Sequence, residues 1–275
     1  MPLKDILVAF SSGSTSQNVL KFGLSLSEQA EASVTALHVA PIVMEEMQIS
    51  TWMPEKLMQR VKDANEAAPQ KAKEAMEALL AQLGKPDTVK WRVETGNVAD
   101  ALASHSRLHD LLVVGKYSET TEETGTHVRS EHIVTRSGRP LVVVPRDWET
   151  EQPIERIVIA WDGGLTATRA MNDALLMLPF VKHIDVLSIT KADPNKAPLV
   201  ELKAHLALHN PRITLTTVKP SGNTADQILQ YCQDKDADIL VVGSRGSARL
   251  RSGLVHGGTG RSILDDATLP VMISH

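Results

Sequence analysis

The chain of 275 residues carries 29 basic and 33 acidic side chains, for a formal charge of −4. This balance argues against electrostatic binding to nucleic acid or to an anionic membrane surface. No apolar run is long enough to predict a membrane span, and the apolar run near the start is too short for a signal peptide. With Cys232 as its single cysteine, the chain has no internal disulfide and is expected to be cytoplasmic.

Short apolar segments alternate with helical patterns along the whole chain. The predicted strands of the first half are residues 6–10, 34–39, 89–93, 111–114 and 141–144. Those of the second half are residues 157–161, 184–189, 213–218, 239–242 and 271–273, and the clearest helices are 56–83 and 224–233. The pattern predicts an α/β fold with two doubly wound, five-stranded parallel-sheet domains in tandem, covered by helices on both faces.

The two halves are related by an internal repeat. The sequence GNVAD at residues 96–100 recurs as GNTAD at 222–226, and in each half a predicted helix and an apolar strand follow. Each half ends with a proline and an apolar run, at residues 140–144 and 270–273. The polar segment 146–155 between them is typical of a linker, so we expect domains at residues 1–147 and 153–275.

The second half concentrates unusual residues where its strands end. The first strand is followed by Asp162 and two glycines, and the fourth strand is followed by Gly243, Arg245 and a glycine-rich segment. Ligands of doubly wound sheets bind at these carboxyl ends. Glycine amides and a helix N-terminus predicted near Arg261 favour phosphate, while a carboxylate accepts hydrogen bonds from ribose hydroxyls. Each feature alone is more often a turn, a flexible loop or a solvated surface, but their combination at two neighbouring strand ends predicts a nucleotide site.

At these residues the chain resembles the universal stress protein family, over nearly its whole length. Nucleotide-binding members have the pattern Gly-x2-Gly-x9-Gly-(Ser/Thr), with an aspartate after the first strand. Gly243, Gly246 and Asp162 match this pattern. Ten residues instead of nine separate Gly246 from Gly257, and Gly258 stands in place of the hydroxyl residue, which Thr259 then supplies from the next position.

The resemblance implies ATP or ADP as the ligand. Asp162 and Gly243 would hold the ribose, and Ile189 would contact the adenine through its backbone. Ala160 and Val242 would line the pocket of the base and sugar. The phosphates would contact Gly246, Gly257, Gly258 and Thr259, and Arg245 would add positive charge. A divalent cation such as Mg²⁺ would accompany the phosphates instead of occupying a cage of protein ligands.

The first half lacks the corresponding features. Ser11 follows its first strand in place of the aspartate, and Ser118 replaces the second glycine. His127 and Val128 stand where Gly257 and Gly258 would be, and their Cβ atoms would crowd a phosphate. We therefore expect this half to retain the fold without the nucleotide site.

Three functions remain open. The first is a stress-response protein that binds an adenine nucleotide in its second half and hydrolyses it slowly or not at all, since no base for activating water is evident. The second is a scaffold acting through partner proteins, and the third is a small-molecule sensor using the cleft of the first half.

Family domains pair through their last strands. In this chain the pairing would be internal, between residues 141–144 and 271–273, as an intramolecular pseudo-dimer, and a homodimer through other surfaces is also compatible. The histidine pairs His105/His109 and His205/His209 have the i, i+4 spacing of a helical metal site but are interpreted as solvated surface.

Overall fold

The computed structural model describes residues 2–40, 55–116, 130–149, 152–209, 212–244 and 263–275. The chain divides into two compact units. The N-terminal unit comprises Lys4–Arg139, and the C-terminal unit comprises Pro140–His275 together with the amino-terminal end of the chain. In the described ranges, no helix combines the length and apolarity that a membrane crossing requires.

The N-terminal unit contains four parallel strands in the order β3-β2-β1-β4. Strand β1 is central, and its Ile6, Leu7 and Val8 are fully buried, which explains the continuous apolar run in the sequence. The described elements of this unit are β1 Asp5–Ala9, α1 Ser14–Ala30, β2 Ser33–Ala40, α2 Glu55–Gln82, β3 Val89–Thr95, α3 Val98–Ser106, β4 Leu111–Gly115 and α4 Ser130–Ser137.

The C-terminal unit repeats this topology and extends it by two strands, in the order β8-β7-β6-β9-β10-β5. All neighbours are parallel except β5, which is antiparallel to β10. The described elements are β5 Leu141–Val144, β6 Arg156–Ala160, α5 Leu165–Ala174, a 3-10 turn Leu175–Met177, β7 His183–Ile189, α6 Leu199–His209, β8 Ile213–Val218, α7 Thr224–Asp234, β9 Ile239–Gly243, α8 Ile263–Asp266 and β10 Val271–Ser274.

The strand order determines where a ligand can bind. From β6 the chain proceeds to β7 and β8 on one side, then returns to β9 and β10 on the other side of β6. Because crossovers are right-handed, the helices that connect strands on one side of β6 and those that connect strands on its other side lie on opposite faces of the sheet. The strand order therefore reverses between β6 and β9, and a crevice opens there at the carboxyl ends of the strands.

The predicted α/β fold with parallel strands is confirmed. The first and last residues of each predicted strand lie within two residues of those of an observed strand. The pairing implied between the last strands of the two halves is also present, with Val271 opposite Val143 and Ile273 opposite Leu141. Strand β5 comes from the first half of the repeat but belongs to the C-terminal unit. The helix predicted near Arg261 is described only from Ile263 onward, as α8.

Candidate functional site

The end of strand β6 presents an exposed carboxylate that is held in a tight turn. Asp162 Oδ1 accepts a hydrogen bond from the Gly164 backbone N–H at 2.8 Å. Between them Gly163 has φ 78°, a conformation that strongly favours glycine. Helix α5 then begins at Leu165, with Gly164 as its N-cap residue. The turn restrains Asp162 through one oxygen and leaves the other available to an external donor.

A cavity of about 240 Å³ adjoins this carboxylate, at the carboxyl ends of β6, β7 and β9. Its volume is just below the usual range of about 300 to 1,000 Å³ for small-molecule sites. Asp162 is the only titratable group in the described lining, and the other side chains are mostly apolar. The lining consists of Ala160, Trp161, Asp162, Ala167, Leu187, Ile189, Thr224, Ile228, Val242 and Gly243.

The structure brings together five of the residues predicted for the site from sequence: Ala160, Asp162, Ile189, Val242 and Gly243 all line this cavity. The remaining five lie outside the described residues. They are Arg245, Gly246, Gly257, Gly258 and Thr259.

Five further lining residues were not predicted from sequence. Trp161 and Ala167 flank the turn at Asp162, Leu187 lies on β7, and Thr224 and Ile228 lie on α7. The Trp161 Nε1–H is buried and has no hydrogen-bond partner in the described part of the chain. The repeated GNxAD sequence could have indicated Thr224, because it predicts that a helix begins at this residue, shortly after the end of a strand.

Gly243 has a packing role that is independent of any ligand. A Cβ atom at this position would lie 2.6 Å from the Ala167 backbone nitrogen and 2.7 Å from Thr166 Oγ1. Both residues belong to the first turn of α5. Glycine is thus required here so that α5 can approach the end of β9 closely.

The N-terminal unit has the same turn without the carboxylate. Phe10 N–H donates to the Leu37 carbonyl at 2.9 Å, as Trp161 N–H does to Leu187. Ser11 therefore corresponds to Asp162, and its hydroxyl lies 2.8 Å from Ser16 Oγ, which also accepts from the Ser11 backbone N–H. Ser16 corresponds to Ala167, so the hydroxyls of Ser11 and Ser16 are already paired with each other. Ser118, His127 and Val128 lie outside the described residues.

A wider cleft of about 550 Å³ adjoins the cavity and shares Leu187 and Ile189 with it. Its wall on α7 is polar, and several of its groups are paired internally. Tyr231 donates its hydroxyl hydrogen to Thr216 Oγ1 at 3.1 Å, and Gln230 donates to Asp234 at 2.8 Å. A ligand larger than the first cavity has room to extend on this side.

The remaining candidate groups have structural explanations. His109 is buried, with Nδ1 2.9 Å from the His105 carbonyl, so the interpretation of this residue as solvated surface is wrong. His205 and His209 are exposed and stack edge to face at 4.8 Å. Within the described ranges, no group of three or more metal-ligating side chains occurs. Cys232 is buried, and burial raises the pKa of its thiol to about 12.

Comparison with known proteins identifies the fold and the repeat. The family model described as the Universal stress protein family matches residues 2–145 and 153–275. The universal stress protein Slr1230 of Synechocystis is 25% identical over 191 residues, which cover 68% of this chain and 65% of the relative. This chain therefore spans just under two thirds of that relative's length.

Two solved structures cover almost the whole chain. A universal stress protein from Archaeoglobus fulgidus is 17% identical with a TM-score of 0.68, covering 98% of this chain and 95% of its own. The Pseudomonas aeruginosa protein PA1789 is 12% identical with a TM-score of 0.56, covering 99% and 92%. At such identities these structures support the fold alone. Since the family model matches both halves of the repeat, the chain belongs to the universal stress protein family.

Proposed function

We propose that this chain is a cytoplasmic stress-response protein that binds ATP or ADP in its C-terminal unit. The observation that carries the proposal is the cavity between the ends of β6, β7 and β9, with Asp162 at its rim. Its apolar lining suits a flat base, and the free carboxylate oxygen suits the hydroxyls of a ribose. The cavity has the volume for a nucleoside portion, so the phosphates would lie beyond it.

The phosphate contacts follow from the family pattern in the sequence. Backbone amides at Gly246, Gly257 and Gly258, with Thr259 and Arg245, would hold the anionic groups. Mg²⁺ would enter with the phosphates, because the described residues offer no cluster of ligating side chains for it. Hydrolysis is expected to be slow, since Asp162 is the only candidate base in the described lining and is assigned to the ribose.

Thermal unfolding with and without ATP tests the proposal. Ligand at 100 times its dissociation constant stabilises the folded state by about 2.7 kcal/mol. Asp162→Asn keeps the size of the side chain but loses the charge, and we expect it to weaken binding by about tenfold or more. Isothermal titration calorimetry measures this loss directly.

The matched control is Ser11→Ala, which alters the corresponding turn of the N-terminal unit and should leave ATP binding unchanged. No stabilisation of the wild-type protein by ATP or ADP would favour the scaffold function instead. A loss of binding in Ser11→Ala with full binding in Asp162→Asn would place the ligand in the N-terminal unit.

A further inference from the structure

Thr224 belongs to the cavity lining and carries a hydroxyl, whereas most of the other lining side chains are apolar. It is the first residue of α7 and lines the cavity together with Ile228, one helical turn further on. Residues four apart lie side by side on one helix face. The Thr224 hydroxyl makes no hydrogen bond to any described residue. The cavity wall therefore carries a polar group that the fold leaves available.

The start of the helix does not require this hydroxyl. Asn223 is the N-cap residue, and its side-chain oxygen accepts from the Ala225 backbone N–H at 2.9 Å. In the other half of the repeat, α3 also has an asparagine as its N-cap residue: the side-chain oxygen of Asn97 accepts from Asp100 N–H at 3.1 Å. Val98 stands in place of Thr224. Valine has nearly the same shape as threonine, so the helix begins equally well without the oxygen.

The location of the hydroxyl indicates which part of a ligand it would contact. The same lining includes Ile228, Leu187 and Ile189, which offer apolar surface to a flat ring. Asp162, which suits the sugar, lies on a different element, at the end of β6. A hydroxyl both donates and accepts hydrogen bonds, and a few such groups in an apolar pocket fix the orientation and specificity of the ligand.

We propose that the Thr224 hydroxyl hydrogen-bonds a heteroatom on the edge of the nucleotide base and contributes to the selection of the base. This inference rests on the proposed nucleotide-binding function. Val98 at the matching position agrees with it, because the N-terminal unit also lacks the carboxylate that would hold the ribose.

The test uses Thr224→Val and Thr224→Ser in the full chain, with dissociation constants for ATP and ITP from isothermal titration calorimetry. ITP differs from ATP only at the six-position and adjacent nitrogen of the base. Wild type is expected to prefer ATP. Thr224→Val should weaken ATP binding by about tenfold and move the ratio of ATP to ITP affinity toward one, whereas Thr224→Ser should keep both dissociation constants within about threefold of wild type.

The inference is overturned if Thr224→Val leaves ATP affinity unchanged, if it weakens ATP and ITP equally, or if wild type does not distinguish them. Val98→Thr is the matched control and should change neither affinity. If wild type binds no nucleotide, the proposed function fails and this inference fails with it. If wild type binds ATP in an Asp162-dependent manner and only the Thr224 result is negative, this inference alone is wrong.

Discussion

Asp162 combines exposure to solvent with a restrained position. Its Oδ1 is used by the Gly164 amide, so the side chain is ordered before any ligand arrives, and less entropy is lost on binding. Ser11 occupies the same turn in the N-terminal unit, but Ser16 engages its hydroxyl. The two turns thus differ at two positions. The turn of the C-terminal unit keeps a carboxylate oxygen available, whereas the Ser11 and Ser16 hydroxyls of the N-terminal unit pair with each other.

His38 is a buried histidine that should make stability depend on pH. Its ring stacks on Trp91 with centroids 6.0 Å apart, and its Nδ1 lies 3.0 Å from the Phe10 carbonyl, to which it donates. Nε2 is buried without a partner in the described part of the chain. Burial lowers the pKa of His38 below its ordinary value of 6.5, and the hydrogen bond to Phe10 opposes this shift.

The sign of the pH effect follows from this lowered pKa. Below pH 6.5 the unfolded chain binds a proton at His38 before the folded protein does, so the free energy of unfolding falls as the pH falls toward the folded pKa. The slope contributed by this group is at most about 1.4 kcal/mol per pH unit. We predict that His38→Gln reduces the loss of stability between pH 7.5 and 5.5 in urea unfolding.

His205→Gln serves as the control for this experiment, because His205 is exposed and should leave the pH dependence as in wild type. An identical pH dependence in wild type and His38→Gln would show that His38 is protonated equally in the folded and unfolded states.

At the scale of elements, a glycine is the last residue of the fourth strand in each half and allows a helix to pack closely against the end of that strand. A Cβ at Gly243 would meet backbone atoms of α5, at 2.6 Å from both Ala167 N and Thr166 C. At Gly115 it would meet a side-chain methyl of Thr15 on α1, at 2.7 Å. The glycine is thus retained in both halves, although only one half has the aspartate.

We predict that Gly243→Ala lowers the free energy of unfolding by about 1 to 3 kcal/mol, because backbone atoms of α5 must move to relieve the overlap. Gly115→Ala should cost less, since a side chain yields more easily than a helix backbone. Urea unfolding of both variants measures the difference, and equal losses would contradict the assignment. Loss of ATP binding in Gly243→Ala does not by itself establish a ligand contact at this residue.

At the scale of the whole molecule, strand β5 belongs to the compact unit formed by the second half of the chain. It pairs with β10, and all four of its side chains are buried. The family model divides the chain differently, with its second match beginning at residue 153. A fragment begun at that residue would lack β5 and expose the backbone N–H and C=O groups of β10 along an unpaired edge.

We therefore predict that a fragment of residues 140–275 has a higher urea midpoint than one of residues 153–275. Urea unfolding of the two fragments measures both midpoints. Equal midpoints would mean that β5 adds nothing to the stability of the C-terminal unit.

The amino-acid sequence by itself determined the strands and helices, the repeat and the doubly wound class, because apolar period and turn residues are local properties. It also indicated Asp162, Gly243 and their neighbours as candidate site residues, since the carboxyl ends of parallel strands meet at one edge of the sheet. Only the tertiary structure decided that Thr224 and Ile228 face the same cavity, that Gly243 packs against α5 and that β5 joins the second unit. Each of these depends on contacts between elements distant along the chain, and no local pattern specifies which side chains meet there.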